Sequence, residues 1–488
     1  MNSTGHTLVL ARIESLVSTV NALITQKFGF FYILTGIFVF AAALVIAFSK
    51  YGAIRLGTAA KPKYSSLKWG AMIFTSTMAA DILYWSLIEW IYYYGANPFG
   101  AAALSPSEKL RLAAAYPLFH WGPVPWSFYI LPAAAYAYMF FVKGRRRQSL
   151  SEACRPVLGK AVDRFWGKLI DGFAIAGLIG GTATTFTLAT PLISAALSKI
   201  TGAVPGKELT VIILLCTGAV FTGAVLAGMR AIAKLALVCI TLFSLLAVYV
   251  LAAGPTVFII ESGISGIGYM LQNLITMASW TDPLRTSGDG ALGFPQSWTI
   301  FYWAYWIAWF VATPFFIAKI SEGRTIRQMI LGAFAFGITG TYCSFIIFGN
   351  FGLYQEVSGA IDVTGLMAAG VSAEEIIITI LARLPLGNAV LFLLAITMIA
   401  FYASTFDAIT LVVSQFRKPD GLSGDGGSRR KRIFWAAIFI ILPIVLIWAE
   451  STLAVLKALS ILAALPLAVI MLIIIIGFIK ELRHQHKM

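Results

Sequence analysis

Apolar stretches long enough to cross a lipid bilayer recur along the 488-residue chain, and they constrain its fold more than any other feature. A helix needs about 20 mainly apolar residues to cross ~30 Å of hydrocarbon, where every backbone polar group must be hydrogen-bonded internally. About eleven such spans are predicted by length and hydropathy. They lie at residues 28–50, 68–93, 122–143, 165–198, 208–228, 233–260, 297–319, 327–352, 387–414, 433–450 and 453–480. The fold class predicted is an all-α polytopic membrane protein.

Charge patterning sets the expected topology. The net charge is +15, and most Lys and Arg residues fall in alternate loops, such as those at 50–68, 143–168 and 417–432. Cytoplasmic loops of membrane proteins carry this excess, so the basic balance indicates topology and no nucleic-acid partner. We therefore expect a multi-pass protein of a prokaryotic cytoplasmic (inner) membrane, with the C-terminus in the cytoplasm. Residues 8–26 are typical of a modestly amphipathic helix, unlike a signal peptide.

An aromatic segment at residues 298–324 reads WTIFYWAYWIAWFVATPFFIAKISEGR. On a helix, Tyr302, Tyr305, Trp306 and Trp309 share one face. Such a face can pack against lipid or other helices, or it can form a cage whose ring faces hold a quaternary ammonium group. Interfacial aromatic belts lie at helix ends, whereas this cluster extends towards the middle of its span. The pattern therefore favours a cation cage.

A carboxylate stands near the centre of the 68–93 span, at Asp81. An acidic residue at this depth costs roughly 2.5–3.5 kcal/mol on insertion scales, so a compensating partner is expected. Asp81 could be a protonated structural residue, a counter-ion for a cationic substrate or a proton carrier. Glu89, two helical turns further along, is interpreted as mainly structural.

Two predicted spans are rich in hydroxyl groups. The clusters are Thr182, Thr184, Thr185 and Thr187 in the first, and Ser404, Thr405, Asp407 and Thr410 in the second. Such hydroxyls often bond back to helical carbonyls, but they also suit a desolvated Na⁺ where transporter helices unwind. The chain has no Walker-type motif and no His/Cys metal pattern, so an enzyme or an ATP-driven pump is not expected.

Several motifs resemble one family, the betaine/choline/carnitine transporters, over residues 27–480. The segment WTIFYWAYW…FIAKISEGRTIR is similar to the family signature WTxFYWAWWxxWxxFxARISRGRT. The segments FHWGPVPW, LATPLI and SLIEWIYYYGANPFG look closest to the carnitine/γ-butyrobetaine exchanger branch. The resemblance implies a LeuT-like core of two inverted five-helix repeats, alternating access and a homotrimer.

The same resemblance suggests the domain boundaries. Residues 1–67 would hold an N-terminal amphipathic segment and a peripheral span, and residues 68–262 the first repeat. Residues 263–296 would form an outer interfacial helix and loop, 297–480 the second repeat, and 481–488 a short cytoplasmic tail. By the same resemblance, the first of the family's spans would be missing from this sequence, and the ten-helix core would be spared.

Family positions also imply the site residues. The cage would comprise Tyr92, Tyr305, Trp306 and Trp309, with Trp85 and Trp303 close by and Trp121 on the outer substrate path. Ser404, Thr405 and Asp407 resemble the TSxDS motif of sodium-coupled members, with Thr75 and Met78 opposite. The candidate Na⁺ ligands are Thr75, Met78, Ser404 and Thr405, together with Thr182, Thr184 and Thr185 of the first hydroxyl cluster. The Arg and Met that replace sodium in the exchanger branch are absent, since their positions correspond to residues 238–240 and Thr313.

Two departures from the family pattern bear on the substrate. Tyr305 stands where the family usually has Trp, and Asp81 replaces the last glycine of the GMGIG segment of betaine-selective members, as in choline-type members. An ionised Asp81 would repel a zwitterion and attract a net cation. The sequence therefore predicts a secondary transporter of a methylated ammonium compound such as choline or trimethylamine, with Na⁺ as the coupling ion. A Na⁺-independent carnitine/betaine-type exchanger and a proton-coupled choline symporter remain alternatives.

Overall fold

The structure is a computed structural model that describes residues 3–78, 80–100, 103–204, 206–227, 229–287, 292–416, 429–448 and 453–485. Over these residues the chain is almost entirely helical, and its β-structure is one isolated bridge between Arg55 and Thr325. The predicted all-α class is confirmed.

Twenty-one α-helices follow one another along the described chain. The first eleven are α1 (Ser3–Phe48), α2 (Ser66–Thr77), α3 (Asp81–Tyr94), α4 (Pro106–His120), α5 (Pro123–Phe141), α6 (Leu150–Ala153), α7 (Arg155–Leu158), α8 (Phe165–Thr201), α9 (Lys207–Ala227), α10 (Met229–Ala253) and α11 (Thr256–Gln272). The others are α12 (Leu274–Ser279), α13 (Ile300–Trp309), α14 (Thr313–Ile320), α15 (Ile326–Ser344), α16 (Asn350–Val357), α17 (Val363–Ala368), α18 (Ala373–Leu381), α19 (Gly387–Ser414), α20 (Arg429–Trp448) and α21 (Leu453–Gln485). Short π-helical turns, Pro295–Thr299 and Phe345–Gly349, precede α13 and α16.

Every predicted span coincides with helical structure. Among the described residues, seven helices are long and apolar enough to cross a membrane, and two bent helix pairs bring the number to nine. The other two predicted spans correspond to α5 and α9. The helices therefore agree with a polytopic protein.

Both bent pairs lie at the start of a predicted repeat. The axes of α2 and α3 differ by 67°, and the helix ending at Trp309 differs from α14 by 56°. Pro314 lies in the first turn of α14, where its missing N–H leaves no helical hydrogen bond unmade. Helix breaks leave backbone carbonyls free for ligands, so these two breaks are the first places to look for a site.

The two hydroxyl clusters suggest locally unwound backbone in the helices that carry them, but the structure does not place it there. Helices α8 and α19, which carry those clusters, are continuous over 37 and 28 residues. Threonine hydroxyls in α8 bond to carbonyls one turn back and leave the helix intact, as in Thr184 to Gly180 O at 3.0 Å. The prediction of unwound backbone in these two helices is therefore wrong.

Some helix boundaries also differ from those predicted. The amphipathic segment at 8–26 and the first span are one continuous helix, α1. The span predicted at 233–260 ends at Ala253, because Gly254 and Pro255 interrupt it and α11 begins at Thr256. The interfacial helix predicted within residues 263–296 thus belongs to α11 and α12. The predicted tail at 481–488 is helical to Gln485, and residues 486–488 lie outside the described chain.

Candidate functional site

A small cavity lies where the two broken spans meet, and we call it the Asp81 cavity. Its lining residues are Thr77, Met78, Asp81, Trp121, Tyr129, Tyr305, Trp306 and Trp309. The space open to the centre of a water molecule is about 10 Å³, which is close to the minimum for one water. A trimethylammonium group is much larger, so the cavity walls must move apart to admit such a group.

Aromatic rings form most of the wall, with Trp306 at their centre. Its ring centroid lies 4.9 Å from that of Tyr129 and 5.5 Å from that of Trp121. Trp309 packs edge-on against Phe406, and α8 comes close through Gly181, where an added Cβ would lie 3.3 Å from the indole nitrogen of Trp309. Several aromatic rings thus line one small volume, the kind of surroundings in which aromatic rings bind a cation.

The carboxylate in this wall is Asp81, the first residue of α3, with 5% of its surface exposed. The Tyr305 hydroxyl donates a hydrogen bond to Asp81 Oδ2, and it lies 2.7 Å from the Thr185 hydroxyl. Asp81 and Tyr305, the two residues that depart from the family pattern, are therefore hydrogen-bonded to each other. None of the ion pairs among the described residues involves Asp81. The cavity wall thus carries an acidic group whose hydrogen-bond donor, the Tyr305 hydroxyl, is neutral.

One predicted cage residue, Tyr92, does not line the Asp81 cavity, and neither do Trp85 and Trp303, the two residues predicted close to the cage. Tyr92 is eleven residues beyond Asp81, roughly 16 Å along the helix axis, and its ring lies tilted against that of Trp298 at 4.6 Å. Trp85 packs on Phe301 and Tyr302.

Trp303 faces α1, where an added Cβ on Gly36 would lie 2.7 Å from its indole nitrogen. Neither Trp303 nor Trp85 lines the Asp81 cavity. Trp121, predicted on the outer path, lies in the cavity wall itself.

Two lining residues are not predicted by the sequence. Tyr129 comes from α5, and no periodicity within its own helix marks it as facing the cavity. Thr77 is the last residue of α2, directly before the break, and its buried hydroxyl makes no hydrogen bond to any residue that the structure describes. The only sequence signal for Thr77 is its place next to Asp81 in a polar stretch.

A second, larger cavity of about 570 Å³ lies beyond Tyr92, and we call it the Lys457 cavity. The Lys457 ammonium lies 3.2 Å from the centroid of the Trp298 ring and donates to Ser297 O at 3.2 Å. The face of Trp298 is thus covered by a cation of the chain itself. Tyr92 lines this cavity and not the Asp81 cavity.

Oxygen atoms converge next to the first helix break. The Thr405 hydroxyl donates to Thr75 O at 2.8 Å and lies 3.3 Å from Met78 O, while Ser404 Oγ lies 3.1 Å from Thr75 Oγ1. Hard cations prefer hydroxyl and carbonyl oxygens, and carbonyls at a helix end have no intrahelical partner. The four residues fit a Na⁺ ion, which would be held by the hydroxyls of α19 and the carbonyls at the end of α2.

The α8 hydroxyls do not join this oxygen cluster. Thr182 donates to Ile179 O at 2.9 Å and Thr184 to Gly180 O, both within their own helix, while Thr185 contacts Tyr305. Within the described residues, no group of three or more His, Cys, Asp or Glu side chains could hold a metal ion. The structure therefore brings together only Thr75, Met78, Ser404 and Thr405 of the candidate Na⁺ ligands.

The fold and the cavity define a polytopic helical protein whose aromatic site lies between two broken spans, the arrangement of a secondary transporter. The sequence model of the betaine/carnitine/choline family of transporters matches residues 5–487. The chain belongs to this family. It is a multi-pass membrane transporter of betaine-, carnitine- or choline-type compounds, which confirms the prediction that it is not an enzyme.

Relatives cover most of the chain. A carnitine transporter of Acinetobacter baumannii is 32% identical over 90% of this chain and 78% of its own length. The uncharacterized Escherichia coli transporter YeaV is 30% identical over 91% of both chains, and the glycine betaine transporter OpuD of Bacillus subtilis is 28% identical over 97% of this chain and 90% of its own. A substrate-bound, outward-open structure of a Na⁺-coupled sialic acid symporter is similar with a TM-score of 0.45 and 15% identity, over 90% of this chain and 81% of the other.

Proposed function

We propose that the chain carries a methylated ammonium compound with a net positive charge, such as choline or trimethylamine, across a prokaryotic cytoplasmic membrane by alternating access. The observation that carries the proposal is a buried carboxylate, Asp81, in an aromatic cavity and bonded to Tyr305. Each ring face contributes up to about 2 kcal/mol to a desolvated cation. The carboxylate adds an attraction that a neutral cage lacks.

The charge of Asp81 separates two substrate classes. Betaine and carnitine carry their own carboxylate, which would meet Asp81 in a cavity of low dielectric, and like charges there cost free energy. Choline and protonated trimethylamine carry no such group. The relatives named for carnitine and glycine betaine support the opposite choice of substrate, so the zwitterions are the competing candidates. Equilibrium binding of choline, trimethylamine, betaine and carnitine to the purified protein tests the proposal, and tighter binding of the zwitterions would refute it.

The unpartnered Thr77 hydroxyl distinguishes choline from simpler cations. Choline carries a hydroxyl group that can bond to Thr77 Oγ1, and tetramethylammonium has none. We expect Thr77→Val to weaken choline binding about tenfold, the equivalent of one neutral hydrogen bond. Tetramethylammonium binding should stay unchanged, and it serves as the control for the shape of the cavity. Equal losses for both ligands would show that Thr77 acts only by packing.

Sodium is the coupling ion that we propose, held by Thr75, Met78, Ser404 and Thr405. The support is the convergence of these oxygens beside the helix break. In proteoliposomes at constant pH, a Na⁺ gradient should drive choline uptake. Ser404→Ala and Thr405→Ala should each raise the Na⁺ concentration for half-maximal uptake several-fold, because each removes an oxygen of the site.

Thr182→Ala is the matched control for this prediction, since among the described residues the Thr182 hydroxyl bonds to Ile179 O of its own helix. Uptake that proceeds equally well without Na⁺ into choline-loaded vesicles would establish exchange instead. Uptake that follows a pH gradient alone would establish proton symport.

The remaining features proposed follow from the family and the charge pattern. We propose a homotrimer embedded in membrane lipid, with the C-terminus in the cytoplasm and two inverted repeats at 68–262 and 297–480. Each proposed repeat begins close to one of the broken spans.

A further inference from the structure

We propose that Glu89, Tyr93, His120 and Thr299 form a proton-binding site behind the Asp81 cavity, coupled to that cavity through Trp121. The proton site stands on the geometry of these residues alone. Its coupling to substrate rests on the proposed function.

The four side chains form one continuous hydrogen-bonded chain. Tyr93 Oη lies 2.7 Å from Glu89 Oε1 and 2.8 Å from His120 Nδ1, and His120 Nε2 lies 3.0 Å from Thr299 Oγ1. Glu89 and His120 are both fully buried, with no exposed surface. A buried carboxylate and a buried imidazole joined by a hydroxyl are groups that can take up and release a proton.

The hydrogen bonds can run in either direction without moving a heavy atom. When Glu89 is ionised, Tyr93 donates to it, so His120 must donate from Nδ1 to Tyr93 and accept at Nε2 from Thr299. When Glu89 is protonated, it donates to Tyr93, Tyr93 donates to Nδ1, and Nε2–H donates to Thr299. Each link between these side chains is kept in both arrangements. One added proton is therefore accommodated without breaking a hydrogen bond of the chain.

Charged and titratable groups surround these residues on several helices. Lys457 of α21 lies within electrostatic range of both Glu89 and His120. Tyr302 of α13 faces Glu89 with its hydroxyl and stacks on the His120 ring at 4.7 Å. Tyr116 of α4 lies 5.5 Å from His120.

Acidic groups of two further helices act on other parts of α3. Glu374 of α18 lies within electrostatic range of Tyr84 and Tyr92, and Glu356 of α16 lies within electrostatic range of Tyr94. Glu89 is therefore the carboxylate that faces His120 directly, at 3.7 Å.

Trp121 connects the proton site to the Asp81 cavity. Its indole N–H donates to Glu89 Oε2 at 2.7 Å, while its ring lines the cavity against Trp306. A hydrogen bond to an ionised carboxylate is roughly twice as strong as one to a neutral group. Protonation of Glu89 therefore loosens Trp121, and it also removes a negative charge that attracts a cation. Both effects weaken cation binding on acidification, and by reciprocity cation binding releases a proton.

The proton site is tested first without ligand, by infrared difference spectra between acidic and alkaline pH. We expect the wild-type spectrum to contain a carboxylic-acid C=O band that Glu89→Gln loses and Asp81→Asn, the matched control, retains. His120→Asn and Tyr93→Phe each interrupt the series of hydrogen bonds from Glu89 to Thr299, so each should shift the pH midpoint of that band. These two variants keep the test decisive if Glu89→Gln does not fold. A spectrum of folded Glu89→Gln identical to wild type would overturn the proposal.

Coupling is tested by choline binding across the same pH range. Acidification should weaken wild-type binding at least about fivefold, the lower end of typical coupling between sites. In Glu89→Gln this dependence should be lost, with affinity near the acidic wild-type value at every pH. An unchanged dependence in Glu89→Gln would refute the coupling. If no ammonium compound binds, the proposed function fails while the infrared result still decides the proton site.

Discussion

Replacement of Trp306 by alanine is expected to abolish choline binding. Trp306 is the ring that both Tyr129 and Trp121 contact, so its removal takes away a cation-binding face and the support of its two neighbours. The loss of one desolvated cation–π contact of about 2 kcal/mol weakens binding roughly 30-fold, and displacement of the neighbouring rings adds to this. Trp306→Phe keeps a smaller π-face and should retain weak binding. Isothermal titration with choline measures both variants.

Trp303→Phe is the matched control for this prediction. Trp303 lies on the same helix, is equally buried and packs against Phe119 and α1 instead of lining the cavity. Its replacement should lower the unfolding temperature and leave choline affinity nearly unchanged. If Trp306→Ala and Trp306→Phe lose binding equally while both remain folded, Trp306 contributes packing and no cation contact.

Replacement of Asp81 is expected to reverse the charge preference of the transporter. Asp81→Gly, and likewise the nearly isosteric Asp81→Asn, should weaken choline binding and strengthen betaine binding. A charge pair about 4 Å apart near a protein surface is worth up to about 4 kcal/mol, so the ratio of the two affinities should change by at least tenfold. Competition between labelled choline and betaine measures this ratio directly.

Tyr305→Phe separates the charge of Asp81 from its hydrogen bond. The variant keeps the ring and the carboxylate and removes only the hydroxyl that donates to Asp81. It should retain the preference for cations over zwitterions. If choline uptake by both Asp81 variants equals that of wild type, Asp81 is a structural residue.

The part of the site that the sequence predicts depends on two local signals. Helical spacing puts Tyr302, Tyr305, Trp306 and Trp309 on one face. The structure places the last three in the Asp81 cavity, whereas Tyr302 stacks on His120 outside its lining. The second signal is the free-energy cost of placing a carboxylate inside a membrane span, which marks Asp81 as a candidate site residue. Both signals are properties of a single helix, so they require no knowledge of neighbouring helices.

Other parts of the site depend on how helices cross, which one sequence does not reveal. Tyr129 faces the cavity because α5 passes beside α13, and Tyr92 misses it because its helix continues well beyond the break. The threonines in α8 suggest unwinding when only the sequence is considered, but their hydroxyls bond within a continuous helix.

Glu89 illustrates the same limit at the proton site. The sequence favours a mainly structural role for it, whereas its contacts with His120 and Trp121 join residues 31 and 32 positions apart. No motif joins these positions along the chain. Only the packing of α3 on α4 places them together.

The tightness of the Asp81 cavity has a consequence for every affinity measured on this protein. A site with room for about one water must open before a methylated ammonium group can enter, and the free energy of opening offsets part of the attraction between ligand and cage. Measured dissociation constants therefore report the population of open molecules as well as the quality of the cage. A substitution far from the rings that favours the open form should tighten apparent binding of all ligands by the same factor. Selectivity, as a ratio of affinities, is untouched by that factor and is the sounder measure of what the cage itself recognises.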